Sequence, residues 1–185
     1  MICTDGSTKN IIERGGAGIF IEDKKIAIEE RLSFVAGKIC SSFGAEGMAM
    51  LRALKWMELH PVETTVICTD SLSVHAVLKK DNWRDCQDWT RKIIIQSRRV
   101  KGFVTILWVP SHYGVDGIEK ADSLADKGTK LKQKDIPITH DIARAKIKKQ
   151  KWQILHKRVK VIFKDNLKPK FSVEKKWTRK AQSLF

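Results

Sequence analysis

Apolar positions fall into two rhythms along the chain, short alternating or continuous runs in the first part and helical spacing further on. Gly15 to Ile21 and Lys25 to Leu32 are rich in β-formers and joined by the polar Glu22-Asp23-Lys24, which predicts a hairpin. Ser33 to Ile39 reads as a third antiparallel strand. Ala45 to His60 holds mostly helix formers and stops at Pro61. Thr65 to Thr69 is a short apolar run between polar flanks, the pattern of a buried central strand. Ser71 to Lys79 and Asp85 to Arg99 read as helices, and Val104 to Val109 as a strand closed by Pro110. Ile118 to Lys127 is helical, with Gly128 placed as its C′ glycine. The order β-β-β-α-β-α-α-β-α predicts an α/β fold, a mixed sheet with helices on its faces.

Beyond Gly128 the character changes. Lys130 to Lys134 is a basic link before Pro137, and Asp141 to Phe163 predicts a long helix. Trp152, Leu155, Val159 and Ile162 share one stripe of it, with lysines around the rest. Pro169 breaks any regular element in the last stretch of the chain. Two readings of the long helix stand side by side, docking on a protein surface and direct contact with nucleic acid. The domain expectation is therefore 1–129 for the folded body and 130–185 for a basic, mainly helical extension.

Charge sharpens that division. The net charge is +15 over 185 residues. From Lys127 to Phe185 there are 19 Lys/Arg and 4 Asp/Glu, whereas residues 1–126 hold 17 of each. A neutral body with a basic arm suits a polyanionic partner, and the plain alternative is a solubilising tail. No apolar run approaches the ~18 to 20 residues of a membrane span, and the N-terminus has no secretory pattern, so the expectation is an intracellular protein, nuclear or cytoplasmic. Cys3, Cys40, Cys68 and Cys86 are far apart, with no zinc-like spacing, and read as thiols.

Four acids stand where folding alone does not want them. Asp5 follows the first strand, and Asp70 ends the apolar run Val66-Ile67-Cys68. Glu46 shares a helical stripe with Met50, Ala53 and Met57, and Asp122 shares one with Ile118, Ala121 and Ala125. A carboxylate on a core-facing stripe costs several kcal/mol unless it is paired or binds a metal. Each also has a bland reading. Asp5 is then a turn residue, Asp70 the cap of the helix from Ser71, and Glu46 a favourable charge near a helix N-terminus. Together, with Asp5 and Asp70 ending neighbouring strands and the helical acids leaning over them, they make an oxygen-rich cluster for hard cations.

Thr4-Asp5-Gly6-Ser7, Ala45-Glu46, Thr69-Asp70-Ser71 and Trp108-Val109-Pro110-Ser111-His112 through Glu119-Lys120-Ala121-Asp122 resemble the signature set of the ribonuclease H family, in order, over about residues 1 to 129. Thr69-Asp70-Ser71-Leu72-Ser73 and the Trp108 phrase with Gly114, Gly117 and Ala121-Asp122-Ser123-Leu124-Ala125 most resemble the ribonuclease H domains of non-LTR retrotransposon reverse transcriptase polyproteins. The resemblance implies a mixed five-stranded sheet flanked by helices. It implies two Mg²⁺ ions, replaceable by Mn²⁺, held by Asp5, Glu46, Asp70 and Asp122. It implies hydrolysis of the RNA strand of an RNA–DNA hybrid, giving 5′-phosphate and 3′-hydroxyl ends, with His112 assisting proton transfer or product release.

The body lacks a strong basic patch. Hybrid recognition is expected to rest on backbone groups near Gly6 and Ser7, on Ser71, and on shape and 2′-hydroxyl contacts. Lys79, Lys80, Trp83 and Arg84 form a small basic-aromatic cluster, which reads either as a hold on the DNA strand or as a solvated turn. Two positions depart from the family pattern. Ile118 stands where many members have Asn, and Leu72 where cellular members carry a polar residue. The chain begins four residues before Asp5, so the first strand reads as clipped, as in a fragment of a polyprotein. Rival readings are a non-catalytic nucleic-acid-binding module of the same fold, such as a decayed element, and a transposase or integrase.

Overall fold

The computed structural model describes residues 1–10, 12–23, 27–79, 88–111, 113–136 and 140–164. Three strands open the chain, β1 (Ile2–Lys9), β2 (Glu13–Asp23) and β3 (Ile28–Ile39). Then come α1 (Ser42–Leu59), β4 (Thr64–Thr69), α2 (Leu72–Leu78), α3 (Asp88–Ser97), β5 (Phe103–Trp108), α4 (Asp116–Lys130) and α5 (His140–Lys164). The sheet order is β3-β2-β1-β4-β5. β1 is antiparallel to β2 and parallel to β4, and β4 is parallel to β5. This is the mixed five-stranded sheet flanked by helices that the sequence predicts.

Two apolar clusters lie on its two faces. The larger joins Ile2, Ile19, Ile21 and Ile67 to Met50, Leu54 and Met57 of α1 and to Trp89 and Ile93 of α3. The smaller sets Cys3, Phe20 and Cys68 against Ile118, Ala121 and Leu124 of α4. Cys3, Cys40 and Cys68 are buried free thiols, and Cys86 lies outside the described residues.

Three local expectations are corrected. The segments read as separate strands up to Leu32 and from Ser33 form one strand, β3, because β2 pairs with it from Asp23↔Ile28 to Glu13↔Ile39. Asp5 does not follow β1 but lies inside it, paired with Gly18 across the antiparallel ladder. Gly128 does not end its helix, which runs on to Lys130. Gly128 sits there for packing, since a β-carbon on it would overlap the Phe34 carbonyl and press on Gly16 Cα at 2.9 Å. The carbonyls of the last turn are taken by side chains. Arg14 Nε donates to Thr129 O at 3.1 Å and Gln133 Nε2 to Gly128 O at 2.9 Å.

Residues 131–136 return to the sheet. Lys38 N donates to Lys134 O at 3.1 Å, and Lys38 Nζ pairs with Asp135 at 2.8 Å. The chain divides into two compact units, Met1–Ala145 and Lys146–Phe185. The described part of the second unit is helical to Lys164. Along it Trp152, Leu155 and Val159 are exposed, as are Ile147 and Ile154.

Candidate metal centre

The parallel ladder between β1 and β4 ends at Thr4↔Thr69. One residue further on each side stand Asp5 and Asp70. β1 continues against β2, whereas β4 stops and the chain turns into α2, so a crevice opens at the carboxyl end of the strand pair. In open α/β sheets this is where ligands gather. Asp5 is 6% exposed there.

Glu46 enters from α1. Ser41 caps that helix, accepting from Gly44 N at 3.1 Å. Glu46 is its fifth residue, past the first turn, so its place owes little to the helix dipole. Gly6 brings it close, because a β-carbon at that position would overlap the Glu46 amide and the Ala45 carbonyl carbon. The Gly6 N–H in turn faces the carboxylates of both Asp5 and Glu46.

Asp70 is not the cap of α2. Ser71 takes that role, its hydroxyl accepting from Val74 N at 3.4 Å. The main chain around Asp70 is tied elsewhere. Ser71 N donates to Thr69 Oγ1 at 3.2 Å, Val109 N to Thr69 O at 2.9 Å, and Trp108 Nε1 to Asp70 O at 3.1 Å. This last bond is not legible in the sequence. Its only signal is a tryptophan at the end of the strand whose register places it beside Thr69.

Asp5, Glu46 and Asp70 each offer an oxygen, all within 4.8 Å of one another. Burial and the charges of Asp70 and Asp122 push Asp5 up to about 7. Burial, with Asp5 and Asp70 nearby, pushes Glu46 up to about 10. Glu46 Oε2 and Asp70 Oδ1 are buried without a hydrogen-bond partner. Converging carboxylates, with buried unpartnered oxygens on two of them, raise the free energy of the folded chain unless a proton or a cation joins them. The residues fit a hard divalent ion, because every donor is a carboxylate oxygen.

Asp122, on α4, lies near enough for its charge to help raise the Asp5 carboxyl. The expected core-facing stripe is corrected here. Ile118, Ala121 and Ala125 are buried, but Asp122 is exposed at the margin of that face.

The other expected residues divide. Gly6 is at the centre, with a packing reason of its own. Ser7 is half-buried opposite Gly16, and Ser71 is half-buried at the α2 cap. His112 lies outside the described residues, as do Lys80, Trp83 and Arg84, while Lys79 is exposed at the end of α2. Ile118 is 3% exposed and packs on Cys3 and Phe20, which gives an apolar side chain at that position a core role. Leu72 is 60% exposed at the first residue of α2.

The family model for RNase H matches residues 1–130. No curated protein matches the chain. Among solved structures, it is similar to RNase H1 from the halophilic archaeon Halobacterium salinarum NRC-1, with a TM-score of 0.58 and 16% identity. That match covers 70% of this chain and 96% of the archaeal one. At this identity the likeness bears on the fold.

Proposed function

The chain belongs to the RNase H family, and we propose that it is an endonuclease that hydrolyses the RNA strand of RNA–DNA hybrids with the help of two Mg²⁺ ions. One observation carries the reading. Asp5, Glu46 and Asp70 converge within 4.8 Å where the β1–β4 ladder ends, and buried oxygens of Glu46 and Asp70 lack any other partner. Among the described residues no helix is long and apolar enough to cross a membrane.

Asp5, Glu46, Asp70 and Asp122 are the residues that would hold the ions, Mn²⁺ serving in place of Mg²⁺. When bound, such ions supply an acidified water for attack on phosphorus and neutralise charge on the departing 3′ oxygen. The protein's own contribution is placement. Asp5, on the middle strand of the sheet, stands with Asp70 in the cluster and within reach of the charge of Asp122. Glu46 reaches in from α1, past Gly6. Asp122 is exposed, and a phosphodiester would enter from its side. Backbone near Gly6 and Ser7, together with Ser71, would guide the hybrid. His112 would carry a proton during turnover or help products leave.

The phrases around Asp70 and Trp108 favour a non-LTR retrotransposon origin, with the rest of a reverse transcriptase polyprotein as partner. Residues 1–129 would then be the catalytic domain and the basic extension an arm for nucleic acid.

The test uses the purified chain with labelled RNA–DNA hybrid, single-stranded RNA and duplex DNA. Hybrid RNA should be cut in Mg²⁺ or Mn²⁺, to 5′-phosphate and 3′-hydroxyl ends, and not in EDTA. Cleavage that persists in EDTA would overturn the metal-dependent mechanism. A folded protein that binds hybrid without cutting it would be a non-catalytic module.

A further inference from the structure

We propose that Trp108 is a positioning residue for Asp70, its indole N–H fixing the stretch of main chain that aims this carboxylate into the cluster. The inference rests on the reading of Asp70 as a cation ligand. Asp70 stands between two regular elements, one residue after β4 and two before α2. The β4–β5 ladder ends at Thr69↔Trp108, so the sheet offers the Asp70 carbonyl no partner. A carbonyl at such a junction is satisfied by a side chain or by water. Here the indole of Trp108 reaches across from β5 and donates at 3.1 Å.

The bonds on either side act on Thr69 and Ser71. Val109 N holds the Thr69 carbonyl at 2.9 Å, and the Thr69 hydroxyl holds Ser71 N at 3.2 Å. Asp70 Oδ1 is buried with no hydrogen-bond partner, so no protein donor steadies that oxygen directly. The aim of the carboxylate therefore depends on its main chain, and the indole grips that chain at the residue itself. Trp108 is also 38% exposed, high for a tryptophan kept only to fill a core. The one polar atom of its side chain donates to the Asp70 carbonyl.

The experiment compares the full chain with Trp108→Phe, which keeps an aromatic ring and loses the donor. Two variants made by site-specific incorporation accompany it. Benzothienylalanine at 108 keeps the shape and replaces N–H by sulfur, whereas 5-fluorotryptophan keeps the donor. Mn²⁺ binding to metal-free protein is read from the electron paramagnetic resonance signal of the free ion, beside thermal melts in EDTA. Partners that orient a metal ligand typically change metal affinity by about 10- to 100-fold. Trp108→Phe and the sulfur analogue should each weaken Mn²⁺ binding by roughly tenfold or more. The fluorinated residue should restore it, and hybrid cleavage should recover as Mg²⁺ is raised. Folded donor-less variants that bind Mn²⁺ as the parent does would overturn the role of Trp108. A parent that takes up no Mn²⁺ would overturn the carboxylate site as well.

Discussion

Gly6 and Glu46 meet backbone to backbone. The strand residue lies so close beneath α1 that a β-carbon on it would overlap the amide of Glu46. Gly6→Ala should therefore push α1 away from β1 and carry Glu46 with it. Overpacking of this kind costs about 1–3 kcal/mol. Thermal melts should show the loss, and cleavage should fall further than the unfolded fraction accounts for. A variant as stable and active as the parent would show that the seam has slack.

Ser71 and Asp70 separate two properties that adjacent residues often share. Asp70→Asn keeps the shape and removes one charge from the cluster. Cleavage in Mg²⁺ should drop by roughly a hundredfold or more, about 3 kcal/mol of barrier. The melting temperature in EDTA should hold or rise, because a repelling charge is gone. Ser71→Ala should instead lower stability by about 1 kcal/mol, the usual value of an N-cap. An Asn variant that cuts hybrid at the parental rate would remove Asp70 from the site.

The cluster also sets how stability responds to pH in EDTA. Burial and neighbouring carboxylates push Asp5 up to about 7 and Glu46 up to about 10. Unfolded carboxyls titrate near ~4. Between these values the folded chain binds more protons than the unfolded one, so its stability falls as pH rises. The loss runs from about 4 to 7 through Asp5 and onward toward 10 through Glu46. Melts at pH 5.5 and 8.5 should show a steeper decline for the parent than for Glu46→Gln. Mg²⁺ should stabilise the parent more at the higher pH, where ion and proton no longer compete. Equal slopes in parent and variant would mean that Glu46 titrates as an ordinary surface acid.

Residues Lys146–Phe185 hold 14 Lys/Arg and 2 Asp/Glu. Their removal leaves all four candidate acids and the Lys134–Lys38 contact in place. If this segment grips nucleic acid, hybrid affinity should fall and its salt dependence flatten by ~0.9 in log–log slope for each lost phosphate contact. Turnover at saturating hybrid should persist. An unchanged slope with a lower melting point would assign the segment to protein packing instead.

Much of this architecture is legible in the sequence, and the parts that are not have a common cause. The run from Val66 to Thr69 and the helical stripe with Met50, Ala53 and Met57 declare their elements because burial imposes a period. Asp5, Glu46 and Asp70 stand out because acids beside such runs need a reason. The continuity of β3, the place of Asp5 within β1 and the packing of Gly128 depend on what lies across the fold. Gly128 fits a helix end by local rules, and only the Phe34 carbonyl and Gly16 beside it show otherwise. Trp108 belongs to one of the family motifs, yet its bond to Asp70 joins residues 38 positions apart. The exposure of Asp122 escapes the pattern because a stripe has margins, and one helical turn cannot tell a margin from its centre.

The glycines between α4 and the sheet have a consequence for how this protein can change. β-carbons on Gly16 and Gly18 would overlap the Ala125 and Ala121 carbonyls, and one on Gly128 would overlap that of Phe34. Three contacts of bare backbone act as a keyway, and α4 can occupy one axial setting in it. A slide by a single residue would bring larger side chains onto the strand. A slide of α4 along the sheet is therefore closed off as a way of widening the site. In a library of variants, these three glycines should stay closed to substitution.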